Sequence, residues 1–285
     1  MKRRVILAAC AIVAACSSPE DMSDGIGLAE ADPSAATGES AQDALDRRVA
    51  ADAEAFSFSE TKGDEQTGLR EFSYSWPRQV SAIPQLAAAF EADYQREIAL
   101  QRDDWAQAVK DCPEEFASCR NNHFSLEWQV VADTPRFLSL SSNIATYTGG
   151  AHGNYGRGAA LWDREGEQKL EPEQLFTSPQ ALGEAIGASA CEALNEERAK
   201  RRGAPVIRDA GDWSTACVPV EDTVLFLGSS NGAAFDRIGV YYGPYVAGPY
   251  AEGDFEFTLS VTGAVLEAVK PEYRSAFRPG QREAL

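Results

Sequence analysis

The stretch Tyr147-Thr148-Gly149-Gly150-Ala151-His152-Gly153 constrains this chain more than any other. Its three glycines divide two apolar runs. Phe137-Leu138-Ser139-Leu140 and Ile144-Ala145-Thr146-Tyr147 lie before it, and Ala159-Ala160-Leu161-Trp162 follows after Asn154 to Gly158. Glycine at a strand end supplies positive φ or lets another segment approach closely. The pattern therefore predicts a strand, a tight glycine-rich crossing carrying His152, and a second strand. Taken alone, such a Gly-Gly is a structural device, and a single histidine beside it is no metal site.

The surrounding periodicities extend this picture. Phe72-Ser73-Tyr74-Ser75-Trp76 alternates with period two, as a half-buried strand does, and Pro77 ends it. Ser81 and Pro84 mark a helix start, with an apolar face of Ile83, Leu86, Phe90, Tyr94, Ile98 and Trp105. Phe124, Leu126, Trp128 and Val130 alternate again, opened by a surface His123; this strand and the two flanking the glycines are expected to form an antiparallel meander. Ser178 caps a helix through Leu182, Ile186, Ser189, Ala193 and Leu194, whose basic end Arg198 to Arg202 suits the helix dipole. Strands are then expected at Thr223–Leu227, Ile238–Tyr242 and Phe255–Leu259, with a short helix at Gly263–Val269. Between the last two strands runs Gly243-Pro244-Tyr245-Val246-Ala247-Gly248-Pro249-Tyr250, a rigid aromatic loop. The expected fold is α+β: antiparallel sheets with helices packed against them, in two consecutive halves, 67–177 and 178–285.

The N-terminal region reads differently. Lys2, Arg3 and Arg4 precede the apolar stretch Val5 to Ala15, which is too short for a bilayer-spanning helix of about 20 residues and suits a secretory signal over 1–15. Val13-Ala14-Ala15-Cys16 resembles a lipobox, which makes Cys16 the expected lipidation site; Leu7-Ala8-Ala9-Cys10 fits the pattern but leaves few apolar residues ahead of the cut. An ordinary cleaved signal is the rival reading. Ser17 in place of aspartate points toward the outer membrane rather than inner-membrane retention, with the protein facing the periplasm. Residues 16–66 are expected to be an acidic disordered tether, with 13 acidic residues in 17–66 against Arg47, Arg48 and Lys62. Ser59-Glu60-Thr61-Lys62 matches a Ser-x-x-Lys pattern without its companion motifs and is set aside.

The net charge of −18 excludes nucleic acid as a partner and favours cationic ones. Cys112, Cys119, Cys191 and Cys217 form an even set that allows three pairings. Cys112–Cys119 and Cys191–Cys217 are the expected disulfides, with a metal site the rival; no metal and no cofactor are expected.

Several motifs together carry a more specific message. The glycine crossing is followed by Leu161-Trp162-Asp163 and Pro172-Glu173-Gln174-Leu175-Phe176. Later come Gly239-Val240-Tyr241-Tyr242-Gly243-Pro244-Tyr245 and Gly248-Pro249-Tyr250-Ala251-Glu252-Gly253-Asp254-Phe255. This order resembles the two-part extracytoplasmic domain shared by the anti-sigma factor RsiV and the non-catalytic N-terminal region of the peptidoglycan deacetylase PdaC, over roughly residues 69–270. The resemblance implies a cell-envelope protein that binds a protein or cell-wall ligand, with lysozyme binding the one function attached to the family.

The residues point the same way. There is no His-Glu-x-x-His, phosphate loop or dinucleotide fingerprint. Only His152, with Asp163 or Glu165 near it, suits acid–base work, so a cell-wall hydrolase or deacetylase using His152 is the alternative. Tyr147 and Tyr155 could add hydroxyls there. The expected binding residues are Tyr147, Gly149, Gly150, His152, Tyr242, Tyr245 and Tyr250. The expected partners are the membrane, through the lipid anchor, and a basic protein such as lysozyme, or peptidoglycan.

Overall fold

The computed structural model describes residues 53–64, 66–113 and 115–280. The signal region, Cys16 and the tether through residue 52 lie outside the described residues. The end of the expected tether is not a tether. Phe56–Asp64 is strand β1, paired antiparallel with β2, Gly68–Trp76. Its Phe-Ser-Phe-Ser alternation puts both rings on one face, where Phe56 stacks on Trp76 at 3.8 Å and Phe58 meets Tyr94 at 5.2 Å. That apolar contact outweighs the acidic composition of the segment.

After the single turn α1 (Arg78–Ser81) comes α2, Pro84–Asp111. Pro84 opens it because the first helical N–H has no partner to lose. Ser81 is not its cap; Ile83 holds that position, and the Ser81 hydroxyl accepts from Trp76 Nε1 at 3.0 Å. α2 buries Leu86, Phe90, Tyr94 and Ile98 against β2 and its neighbours. Trp105 is only half-buried and donates from Nε1 to the Arg120 carbonyl.

β3 (Asn122–Asp133) lies beside β2 in parallel, so the sheet is mixed and not wholly antiparallel. A long connection such as α2 is what a parallel pair requires. A buried polar network fixes the register: Arg70 donates to Gln101 Oε1 at 2.8 Å, and Gln101 Nε2 donates to Asn122 Oδ1 at 2.8 Å. Arg70 also pairs with Glu60 of β1. β4 (Phe137–Tyr147), β5 (Asn154–Asp163) and the short β6 (Gln168–Leu170) complete a six-stranded sheet in the order β1-β2-β3-β4-β5-β6, its β3-β4-β5 portion an antiparallel meander.

α3 (Pro179–Arg202) follows, its N-terminus capped by Ser178 accepting from the Ala181 N–H. β7 (Val224–Gly228), β8 (Arg237–Tyr242) and β9 (Phe255–Ser260) form a three-stranded antiparallel sheet, and α4 (Gly263–Ala268) packs against α3. Two cores result. One lies between the large sheet and α2; the other gathers Leu182, Ile186, Leu225, Ile238, Val240 and Phe255. Phe137, Leu161, Leu175 and Phe176 belong to that second core as well, so residue 178 separates the sheets but not the cores.

The two cysteine pairs expected from the sequence are the ones that stand at disulfide distance. Cα–Cα is 6.0 Å for Cys112–Cys119 and 5.1 Å for Cys191–Cys217. Among the described residues, no helix is long and apolar enough to cross a membrane, and no cluster of three His, Cys, Asp or Glu side chains could hold a metal.

Candidate functional site

The glycine crossing lies between β4 and β5, and its glycines are there for the reasons expected. Gly149 (φ +92°) passes so close to the loop closed by Cys112 and Cys119 that a Cβ would stand 3.0 Å from Cys119 Cα. Gly150 (φ +105°) faces open space and needs glycine for conformation alone. At Gly153 a Cβ would meet the Thr146 carbonyl at 2.8 Å. Tyr147 donates its hydroxyl to the Gly150 carbonyl at 3.0 Å, which fastens the turn.

The aromatic loop between β8 and β9 folds onto this crossing. Tyr250 stacks on the His152 ring (3.9 Å between centroids, 21° between planes) and donates its hydroxyl to the Gly153 carbonyl at 2.8 Å. Tyr245 lies 5.4 Å from Tyr250 and places its hydroxyl 3.4 Å from His152 Nε2. His152 Nδ1 is 2.8 Å from the Gly153 carbonyl. A carbonyl only accepts, so Nδ1 carries a proton in this contact. Motifs about a hundred positions apart in the chain thus make one cluster.

Tyr245 stands out within it. It is 55% exposed, yet its backbone adopts φ +68°, a region that bulky L-residues rarely occupy. The fold holds this ring outward at a local conformational cost.

Tyr242 does not belong to the site. It is 0% exposed and sits in the second core with Val240, two positions back on the same face of β8. Burial pushes its hydroxyl up to about 12. Burial first, and then the Asp254 charge, raises the Tyr155 hydroxyl as well. Both remain protonated near neutrality and are poor nucleophiles. The carboxylates expected beside His152 are elsewhere too. Asp163 ends β5 nine positions beyond Asn154, about 30 Å along a strand, where Arg136 binds both its oxygens at 3.0 Å. Glu165 also pairs with Arg136.

What secures the aromatic loop is the basic end of α3, which the helix dipole does not account for. Arg198 is 0% exposed and donates to the carbonyls of Ala247 (3.0 and 2.6 Å) and Ala216 (2.8 Å). Desolvation lowers its pKa, followed in effect by the charge of Arg202. Arg202 binds both Glu252 oxygens at 2.8 Å and reaches the Ser214 carbonyl. Arg201 lies over the Phe255 ring at 4.1 Å. A signal was present in the sequence, since Leu182, Ile186, Ala190, Leu194 and Arg198 recur every fourth residue on the buried face.

Comparison with known proteins finds a family likeness over part of the first half of the molecule. The family model Deacetylase PdaC matches residues 63–155, from the end of β1 to the start of β5. This region is PdaC-like. It contains the glycine crossing and His152, whereas Tyr245 and Tyr250 lie outside the match. Two solved structures of the DUF3298 family are similar to the chain. One, from Pseudomonas aeruginosa PAO1, has 18% identity and a TM-score of 0.49 and covers 80% of this chain and 98% of its own. The other, from Bacteroides fragilis, has 15% identity and a TM-score of 0.43 and covers 76% and 92%. No curated protein is significantly similar to the chain.

Proposed function

We propose that the folded domain is a ligand-binding module of the cell envelope that grips a protein partner at the His152–Tyr245–Tyr250 cluster. The observation that carries this reading is Tyr245, an exposed ring held in a strained backbone conformation with its hydroxyl at a histidine from the other motif. Rigid, amphipathic tyrosines contribute large contact area for little lost entropy, which is why they anchor interfaces. The net charge of −18 favours a cationic partner, and a basic muramidase such as lysozyme is the case that the family resemblance suggests. Lipid attachment at Cys16 and residence at the outer membrane complete the proposal.

The alternative is hydrolysis or deacetylation at His152. It is disfavoured by the site's chemistry: among the described residues the ring's polar neighbours are a carbonyl and a phenol, with no carboxylate to orient it as a base.

Calorimetric titration with hen lysozyme tests the proposal. The wild type should bind at micromolar affinity or better, weakening with salt, and Tyr245→Ala should bind roughly tenfold more weakly with unchanged thermal stability. Tyr250→Phe, which loses only the bond to Gly153, should weaken binding less. Turnover of a cell-wall substrate that vanishes in His152→Ala would overturn the proposal.

A further inference from the structure

The large sheet has an open edge beside this cluster. β6 pairs with β5 only from Leu161 to Asp163, so among the described residues no strand lies beside residues 154–160. The direction of the free groups follows from one contact. The Gly158 N–H points toward β4, where it meets Ser142 Oγ at 3.1 Å. Backbone groups alternate sides along a strand. Arg157 and Ala159 therefore turn their N–H and C=O groups outward, in phase with Leu161 where it meets Leu170. Residues 155–159 are half-buried rather than covered.

An unpaired edge is normally blunted by charges, twist or brevity. The opposite edge follows that rule, because β1 carries Glu60, Lys62 and Asp64 and bends at Gly63 with φ +77°. The β5 edge has none of these devices. Tyr155-Gly156-Arg157-Gly158-Ala159 contains a single charge, and Arg157 turns it away to pair with Glu256 and lie over Phe226. Gly156, Gly158 and Ala159 leave room for large side chains on an incoming strand.

We propose that this edge is a strand-addition site for an extended segment of a cationic polypeptide. The proposal deepens the reading of the neighbouring ring cluster as a protein-binding surface: the rings hold a side chain at the Asn154 end while the backbone pairs along β5. Charge selects the occupant. Just beyond the edge, β6 leads into Glu171 and Glu173, and neither forms an ion pair among the described residues. Burial, with the charge of Glu171 adding to it, raises the Glu173 carboxyl, and a cation there would offset this by favouring the ionised form.

The test uses the full-length protein and three synthetic peptides: alternating lysine–valine, the same sequence N-methylated at alternate residues, and alternating glutamate–valine. Amide exchange is followed by NMR. In the free protein, Arg157 and Ala159 should exchange fast and Gly156 and Gly158 slowly. The lysine–valine peptide should raise protection at Arg157 and Ala159 roughly tenfold or more, while N-methylation weakens binding by about the same factor. The acidic peptide should not bind. Protection at Arg157 and Ala159 in the free protein, or none at saturating peptide, overturns the proposal. Equal binding of the acidic peptide removes its cationic specificity. Protection that grows with protein concentration alone assigns the edge to a second copy of the chain and defeats the proposal. Lysozyme binding that depends on Tyr245 without protecting the edge defeats it while leaving the cluster reading intact; edge protection indifferent to Tyr245→Ala does the reverse.

Discussion

Gly149 and Gly150 stand side by side with positive φ, yet they answer to different constraints. Alanine at 150 would bear only backbone strain, about 1–2 kcal/mol. Alanine at 149 would add a collision with Cys119 Cα and should cost about 3 kcal/mol in all. Urea denaturation of the two variants should show that ordering, and equal losses would mean the crossing does not rest on the disulfide loop. The motif itself was legible in the sequence, since adjacent glycines between apolar runs announce a special backbone. Which of them is crowded was not, because the neighbour comes from residues about thirty positions upstream. Tyr242 and Tyr245 teach the same lesson. Both belong to one aromatic motif, but Tyr242 is the last residue of β8 and still inside the core, whereas Tyr245 lies beyond the strand end in the loop with positive φ.

At the scale of elements, period-two alternation located β2, β3 and β9, and the 3.6-residue stripe located α2 and α3, because each buries one face. β1 was obscured by its acidic setting, although Phe56 and Phe58 alternate as clearly as Phe72 and Tyr74. The parallel pairing of β2 with β3 was not legible at all, since strand order depends on buried partners such as Arg70, Gln101 and Asn122 rather than on any local period. The disulfides belong to this scale. Their closed loops span sequence separations of 7 and 26. On the chain-entropy model, loss of Cys112–Cys119 should cost about 2.5 kcal/mol and loss of Cys191–Cys217 about 3.5 kcal/mol. Paired Cys→Ser variants should unfold at lower denaturant in that order. The reverse order would show that native contacts, not loop length, set their value.

Over the whole molecule, the two halves share a core, and each holds a buried acidic group ionised by partners of its own. Burial opposes the charge of Asp163 and Asp236, yet hydrogen bonds from Arg136 to the first, and from Arg278 and Ser230 to the second, bring both below the ordinary aspartate range. A depressed folded-state pKa means the folded state binds fewer protons than the unfolded one. The resulting stability is fully present above about pH 4 and is lost as pH falls through the lower folded values. Thermal melts from pH 6 to pH 2 should show a decline that is smaller in Asp163→Asn, which starts less stable; parallel curves would remove Asp163 as a source. The architecture also has a mechanical consequence. β1 is the first described strand and joins the sheet as one arm of a hairpin, with Phe56 opposite Trp76 at the end away from the turn. Tension applied through the backbone upstream of Phe56 would therefore unzip β1 one pair at a time instead of shearing all its bonds together. The Phe56–Trp76 stack is the first contact to bear that load, so β1 should peel away at low force while the free β5 edge and the ring cluster, four strands distant, stay in place.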